Sequence, residues 1–208
     1  MSSSVSGHPE DSAIRQLRDF YGLIEIDGRE TELDLGCGSG SYAVRLAQRY
    51  PERRILAADV MLGRLRKTVR RAAQNGCGNV ECLRVEARYL VGRLLPDHAL
   101  RRIHLLCPDP WPKDRHRGHR LLASDFTTQL HRVLRLGGIF HFSSDDVRYC
   151  EAVGRVLEAS GLFAPASDGI ADLTGLQSDF EARWLSAGRS VPHRAWKALE
   201  LPKITIGH

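Results

Sequence analysis

The chain is expected to fold as a doubly wound α/β domain around a mostly parallel sheet. Three observations predict this. Apolar strand-like runs alternate with helical periodicity, the order that a parallel sheet with crossover helices produces. The first run ends in a glycine-rich turn, Gly36-Cys37-Gly38-Ser39-Gly40, that leads straight into a helix. The 208 residues are 42% hydrophobic and 26% charged, an ordinary soluble composition long enough for one core. Residues 13–208 are read as that single domain, and residues 1–12 as a polar N-terminal tail.

The elements follow in order. The first strand is expected over Glu32 to Leu35. Ser41 opens a helix with Ala43, Leu46, Ala47 and Tyr50 on one face, and Pro51 ends it. A second strand spans Ile55 to Ala58. The next helix puts Leu62, Leu65, Val69 and Ala72 on one side and Arg64, Arg66, Lys67, Arg70 and Arg71 on the other. Strands follow at Val80 to Val85 and Arg102 to Leu106. A helix carrying Phe126, Leu130, Val133 and Leu134 is expected to stop at Gly137-Gly138. The fifth strand covers Ile139 to Ser143. The helix after it places Tyr149, Val153, Val156 and Leu157 on one face and ends near Gly161. Ala164 to Gln177 reads as a loop of lid-like composition, Phe180 to Ser186 as a short helix, and Arg194 to Leu199 as the last strand.

Several function classes are disfavoured. No run approaches the roughly 20 apolar residues of a membrane helix, and Met1 to Ser12 lacks the apolar core of a secretory signal. The five cysteines, Cys37, Cys77, Cys82, Cys107 and Cys150, are odd in number and scattered, which fits a reducing cytoplasm better than a disulfide framework. Cys77 and Cys82 have no second close pair, so no metal site is expected. A net charge of +5 permits a nucleic-acid partner without demanding one.

Ligands of such sheets sit at the carboxyl ends of the strands, and acids stand there. Asp34 precedes the glycine turn, Asp59 ends the second strand, and Glu86 follows the third. The spacing G-x-G-x-G differs from the dinucleotide fingerprint G-x-G-x-x-G. A pyrophosphate wants helix N-terminal amides without an acid beside them. S-adenosylmethionine brings a sulfonium, an ammonium, ribose hydroxyls and an adenine amino group, all suited to carboxylate acceptors. A nicotinamide or flavin cofactor, or a bare strand-to-helix turn, is the alternative.

The loop after the fourth strand, Cys107-Pro108-Asp109-Pro110-Trp111-Pro112-Lys113, is stiffened by three prolines. It can hold Asp109 and Lys113 in one geometry, with Trp111 as its hydrophobic anchor. Residues 113–120 then carry four fixed positive charges and two histidines. Beside a strand-end site, such cations are placed to meet phosphates.

These blocks, with Ser144-Asp145 followed by Tyr149 and Ser178-Asp179-Phe180-Glu181-x-Arg183, resemble the tRNA (guanine-N7-)-methyltransferases over roughly Glu32 to Ala198. The resemblance implies a Rossmann-like class I methyltransferase sheet, mostly parallel with a C-terminal antiparallel strand. It implies S-adenosylmethionine as cofactor, bound by Asp34, Gly36, Gly38, Gly40, Asp59, Glu86 and Asp109, with Asp109 also catalytic. Lys113, Asp145, Ser178, Asp179, Phe180 and Glu181 fall on substrate-holding positions. Arg115, His116, Arg117, His119 and Arg120 fall on the tRNA-contacting segment. The family points to guanine 46 of the variable loop. Five positions depart from the common pattern: Asp34 stands for a frequent Glu, Glu86 for the usual Asp, Ser178 for Thr, and Gly118 and His119 for two basic residues.

The chemistry agrees with those residue types. Guanine N7 is a lone-pair nucleophile beside O6 and carries no proton, so its methylation needs no general base. The product ring is cationic, and carboxylates near it stabilise the charge as it develops. Asp109 and Asp145 are the first candidates and Glu181 the third. Lys113 is placed to donate to O6 or to hold a phosphate. A methyltransferase of another RNA, of a small molecule or of a protein, an RNA-binding module with a decayed cofactor site, and a dehydrogenase remain the competing readings.

Overall fold

The computed structural model describes residues 8–17, 23–108 and 124–201. Among them one sheet contains β1 (Ile14–Gln16), β2 (Thr31–Leu35), β3 (Arg54–Asp59), β4 (Val80–Arg84), β5 (Leu100–Leu106), β6 (Leu134–Ser143), β7 (Phe163–Pro165) and β8 (His193–Ala198). The helices are α1 (Ser41–Arg49), α2 (Leu62–Gln74), α3 (Ala87–Tyr89), α4 (Ser124–Val133), α5 (Val147–Ala159) and α6 (Asp179–Ser186). The strand order is β1-β4-β3-β2-β5-β6-β8-β7. Strands β1 to β6 pair in parallel, and β8 runs antiparallel to both β6 and β7. The expected doubly wound sheet with a C-terminal antiparallel strand is therefore what forms. Its order reverses at β2, whose neighbours are β3 and β5, and the crevice of such a sheet opens there at the carboxyl ends.

Strands β2 and β3 are buried along their whole length because helices cover both faces. On one face Tyr42, Ala43, Leu46 and Ala47 of α1 pack with Ile55 and Ala57 of β3. On the other, Phe126 and Leu130 of α4 and Val153 and Leu157 of α5 pack with Leu33, Phe140 and Phe142. No helix among the described residues is long and apolar enough to cross a membrane.

The structure corrects several boundaries. Helix α4 ends at Val133 rather than at Gly137-Gly138. Leu134 already pairs with Leu100, and the register shifts before Arg102 pairs with Ile139. The two glycines serve that bulge: Gly137 has φ +71°, and a Cβ on Gly138 would lie 2.8 Å from the Arg135 carbonyl oxygen. Ala164 to Gln177 is not one loop. It begins in β7 and contains a 3-10 turn, Ser167–Leu173, that buries Leu173. Residues 9–13, expected mainly in the polar tail, form a 3-10 turn. Its Asp11 and Glu10 pair with Arg66 (2.7 Å) and Arg70 (3.0 Å) on the basic side of α2. Edge strands β1 and β7, three residues each, are too short to leave a period-two signal.

Candidate active site

The glycine turn sits where the sheet order reverses. Gly36, Gly38 and Gly40 all have positive φ (77°, 57° and 73°), which favours residues without a Cβ. A Cβ on Gly36 or Gly38 would meet nothing within 4 Å, so their backbone faces open space, whereas one on Gly40 would lie 2.3 Å from the Thr68 methyl. The Gly36 and Cys37 amides donate to the Ala58 carbonyl at 2.8 and 2.9 Å, tying the turn to the end of β3.

The three expected cofactor acids line the ends of successive strands with different degrees of freedom. Asp34 is 3% exposed. The Ala43 amide of α1 donates to its carboxylate, but Oδ2 has no hydrogen-bond partner. Burial, with the nearby Asp59 charge adding to it, raises its pKa to about 7. Asp59 accepts from the Gly38 amide (3.1 Å) through Oδ2 and from the Met61 amide (2.7 Å) through Oδ1, so it braces the turn against the start of α2. Glu86 is exposed and caps α3 through Oε2, which accepts from the Tyr89 amide at 2.9 Å. A cleft of about 210 Å³ bounded by Gln16, Leu17, Val60, Arg84, Val85 and Glu86 opens beside it. A cationic group fits the unpartnered Asp34 oxygen, and the open glycine backbone leaves room for it. S-adenosylmethionine is compatible with that donor set.

The residues expected on the substrate side follow β5 and β6 or lie at the start of α6. Cys107, at φ +46°, turns the chain sharply after β5, and its amide donates to the Ser143 carbonyl at 2.8 Å. Burial raises its thiol to about 11, and the charges of Glu181 and Asp145 both reach it. These three residues therefore share one neighbourhood. Asp145 is half-buried beside Arg189 at 3.4 Å, while Asp146 caps α5. Asp109, Lys113, Arg115, His116, Arg117, His119 and Arg120 lie outside the described residues.

In the Ser178–Glu181 block the four residues separate. Ser178 caps α6, its Oγ accepting from the Glu181 amide at 3.1 Å. Asp179 pairs with Arg45 (3.2 Å) and Arg71 (2.6 Å), which fastens α6 to α1 and α2. Phe180 is exposed and packs on Trp184 with centroids 4.3 Å apart, and Arg189 stands over the Trp184 ring at 5.6 Å. Glu181 turns inward and is 4% exposed.

There it meets polar residues that the sequence reading passed over. Glu32, His104, His141 and Glu181 are buried, and His193 is half-buried. They form a continuous chain across β2, β5, β6 and β8. Glu32 Oε2 lies 2.9 Å from His104 Nε2, and His104 Nδ1 lies 2.9 Å from His141 Nδ1. His141 Nε2 lies 2.7 Å from His193 Nδ1, and His193 Nε2 lies 2.8 Å from Glu181 Oε1. The signal was present as polar residues at every second position of Glu32-x-Asp34, Arg102-x-His104 and His141-x-Ser143. Strands covered on both faces are otherwise near-continuously apolar.

A family model described as "Putative methyltransferase" matches residues 29–193. The chain is 41% identical over 121 residues to the tRNA (guanine-N(7)-)-methyltransferase of Syntrophotalea carbinolica, a match covering 58% of this chain and 52% of that relative. It is 33% identical over 169 residues to the enzyme of the same name from Rubrobacter xylanophilus, covering 79% and 75%. The match spans about half the length of the Syntrophotalea carbinolica and Thermotoga maritima relatives. Among solved structures, the 16S rRNA (adenine(1408)-N(1))-methyltransferase from Catenulisporales acidiphilia superposes with a TM-score of 0.60 at 20% identity, covering 91% of this chain and 99% of that one. The 16S rRNA methyltransferase KamB gives 0.59 at 19%, covering 82% and 88%. At those identities the likeness is one of fold. With its glycine turn, strand-end acids and sheet order, and with matched relatives of one name, this chain belongs to the tRNA (guanine-N7-)-methyltransferase family.

Proposed function

We propose that the chain transfers a methyl group from S-adenosylmethionine to N7 of a guanine in tRNA, guanine 46 of the variable loop. The observation that carries this reading is Asp34, a buried carboxylate with an unpartnered oxygen at the mouth of the glycine turn. A buried acid in that state gains from a cation. When bound, the cofactor supplies an electrophilic methyl on a sulfonium, and the guanine N7 lone pair forms the new bond as the carbon–sulfur bond breaks.

The chain's own residues bind and orient. Asp34 takes the ammonium of the cofactor, Gly36 and Gly38 keep the backbone clear of it, and Gly40 lets the turn close against Thr68 so that the loop keeps its binding shape. Glu86 has one oxygen left after capping α3, and each Asp59 oxygen keeps a second lone pair. Both acids serve as acceptors on the ribose and adenine side. Asp145 and Glu181 accept from the guanine N1–H and 2-amino groups and stabilise the charge that N7 methylation creates. Asp109 completes the cofactor site as the catalytic acid, and Lys113 holds O6 or a phosphate. Arg115, His116, Arg117, His119 and Arg120 contact the tRNA backbone. Alignment of N7 with the methyl group supplies the rest of the acceleration. Ser178 and Asp179 support this indirectly, by capping α6 and fastening it so that Glu181 and Phe180 keep their places. The five cysteines are free thiols, which supports a reducing cytoplasm as the setting.

The test is methyl transfer from labelled S-adenosylmethionine to unmodified tRNA with nucleoside analysis of the product. 7-Methylguanosine is expected. A methylated adenosine, or methylation of a non-RNA acceptor alone, would overturn the reading.

A further inference from the structure

The buried chain from Glu32 to Glu181 contains more hydrogen-bonding sites than its neutral side chains can fill. Its four links, Glu32–His104, His104–His141, His141–His193 and His193–Glu181, each need one hydrogen. Both ends are carboxylates, which only accept when ionised. A neutral imidazole brings one N–H, so the three imidazoles fill at most three links in any tautomeric arrangement. The fourth link needs a fourth proton, and the five groups together then carry a net charge of −1.

The surroundings decide where that proton resides. Glu32 is held ionised: burial alone would raise its pKa, but His104, Arg102 and Arg53 bring it below the usual value. Arg53 lies 2.5 Å away, Arg102 3.6 Å and Arg101 3.8 Å, so a cationic His104 would join three guanidinium groups. His141 faces only imidazoles along the chain, and burial with their influence pushes its pKa well down. The Tyr42 hydroxyl is a longer second neighbour of His104 Nδ1, at 3.4 Å, and burial keeps that phenol neutral. His193, by contrast, is partly solvated and directly faces Glu181, with Asp145 and Cys107 in the same neighbourhood.

We propose that His104 and His141 are positioning residues that place the fourth proton on His193, making it the cation that keeps Glu181 an ionised acceptor toward the nucleobase. His104 donates from Nε2 to Glu32, and His141 from Nδ1 to His104. His193 donates from Nδ1 to His141 and from Nε2 to Glu181. The role for a base rests on the proposed function. Ionised Glu181 accepts from guanine N1–H, whereas adenine presents a bare N1 at that position and would need a donor. The relay is thus a specificity device for guanine over adenine, and Glu32 with its arginines is the anchor that fixes its direction.

The test is nitrogen-15 NMR of the histidine-labelled full chain at pH 7, reading protonation at each ring nitrogen. His104 protonated at Nε2 only, His141 at Nδ1 only and His193 at both is the expected pattern. Three neutral imidazoles, with His193 Nε2 bare, would place the proton on Glu181 and overturn the proposal. In Glu181→Gln the amide can donate to His193 Nε2, so His193 should become neutral, and a His193 that stays doubly protonated would overturn the proton count. These NMR signatures need no turnover. A doubly protonated His193 in a protein without methyl transfer would remove the proposed function and leave the relay.

Discussion

Replacing Asp34 by Asn separates the two roles assigned to this acid. An ordinary Asp carboxyl titrates at ~3.9, and burial with one oxygen unpartnered, with Asp59 nearby, raises that of Asp34 to about 7. The sign follows from linkage. A carboxyl whose pKa is higher in the folded state contributes fully at low pH. That stability is lost as pH rises from the unfolded value through the folded one. An interval of roughly three pH units at ~1.4 kcal/mol each amounts to about 4 kcal/mol at most. Asn cannot ionise, and its stranded amide hydrogens impose a roughly pH-independent penalty of ~1–3 kcal/mol. Relative to wild type, D34N should therefore gain ~2–3 kcal/mol between pH 5 and pH 8 in urea unfolding, whatever its standing at pH 5. Cofactor binding should move oppositely. At pH 6 wild type should release close to one proton on binding S-adenosylmethionine, read by calorimetry in buffers of different ionisation enthalpy. D34N should release none from this site and bind at least 30-fold more weakly, the worth of a charged hydrogen bond of ~2 kcal/mol. Parallel stability curves for the two proteins would refute the uncompensated acid, and undiminished cofactor affinity would refute its pairing with a cation.

Other expectations are more local. Gly40→Ala combines φ +73° with a Cβ 2.3 Å from the Thr68 methyl, so it should lower stability by ~2 kcal/mol or more in urea melts. Gly38→Ala places its Cβ in open space and should cost ~1–2 kcal/mol of backbone strain while weakening the cofactor more than the fold. Asp109→Ala should abolish methyl transfer with the far-ultraviolet circular dichroism unchanged; near-normal turnover would remove it as the catalytic acid. Arg115→Ala and Arg117→Ala should each reduce the salt dependence of tRNA binding by about one phosphate contact, and an unchanged slope would move the RNA surface elsewhere.

The order of elements and the strand-end acids were legible because strands buried on both faces and amphipathic helices leave strong periodic signals. The glycine turn was legible because three positive-φ positions need three glycines. The doubled glycine at 137–138 misled because the same residue type serves a helix end and a strand bulge, and only the Leu100–Leu134 pairing tells them apart. Ser178 and Asp179 belong to the block expected to carry substrate contacts, yet one is a helix cap and the other an ion-pair brace. Sequence spacing fixes which residues travel together, not which of them point outward. The histidine chain was invisible for a related reason: Glu32, His104, His141 and His193 are spread over more than 160 positions and meet only through the lateral register of four strands.

Strand β2 shows how one stretch of backbone settles two buried acids in opposite ways. Glu32 and Asp34 are two residues apart, so they emerge on the same face of the sheet, and both are almost completely buried. Glu32 is surrounded by its counter-charges, Arg53 and Arg102, and together with the His104 N–H they hold it ionised despite burial. Asp34 receives one backbone amide and a neighbouring acid, and its pKa goes up. Burial is common to both, so burial does not explain the difference; the placement of cations does. Every cation near Glu32 comes from the chain itself, and none among the described residues hydrogen-bonds Asp34 Oδ2. A fold that had only to be stable would gain from an apolar residue at position 34, where the acid is a net penalty at neutral pH. The acid makes physical sense once the missing positive charge is brought by a ligand, and the glycine turn beside it leaves space for that ligand.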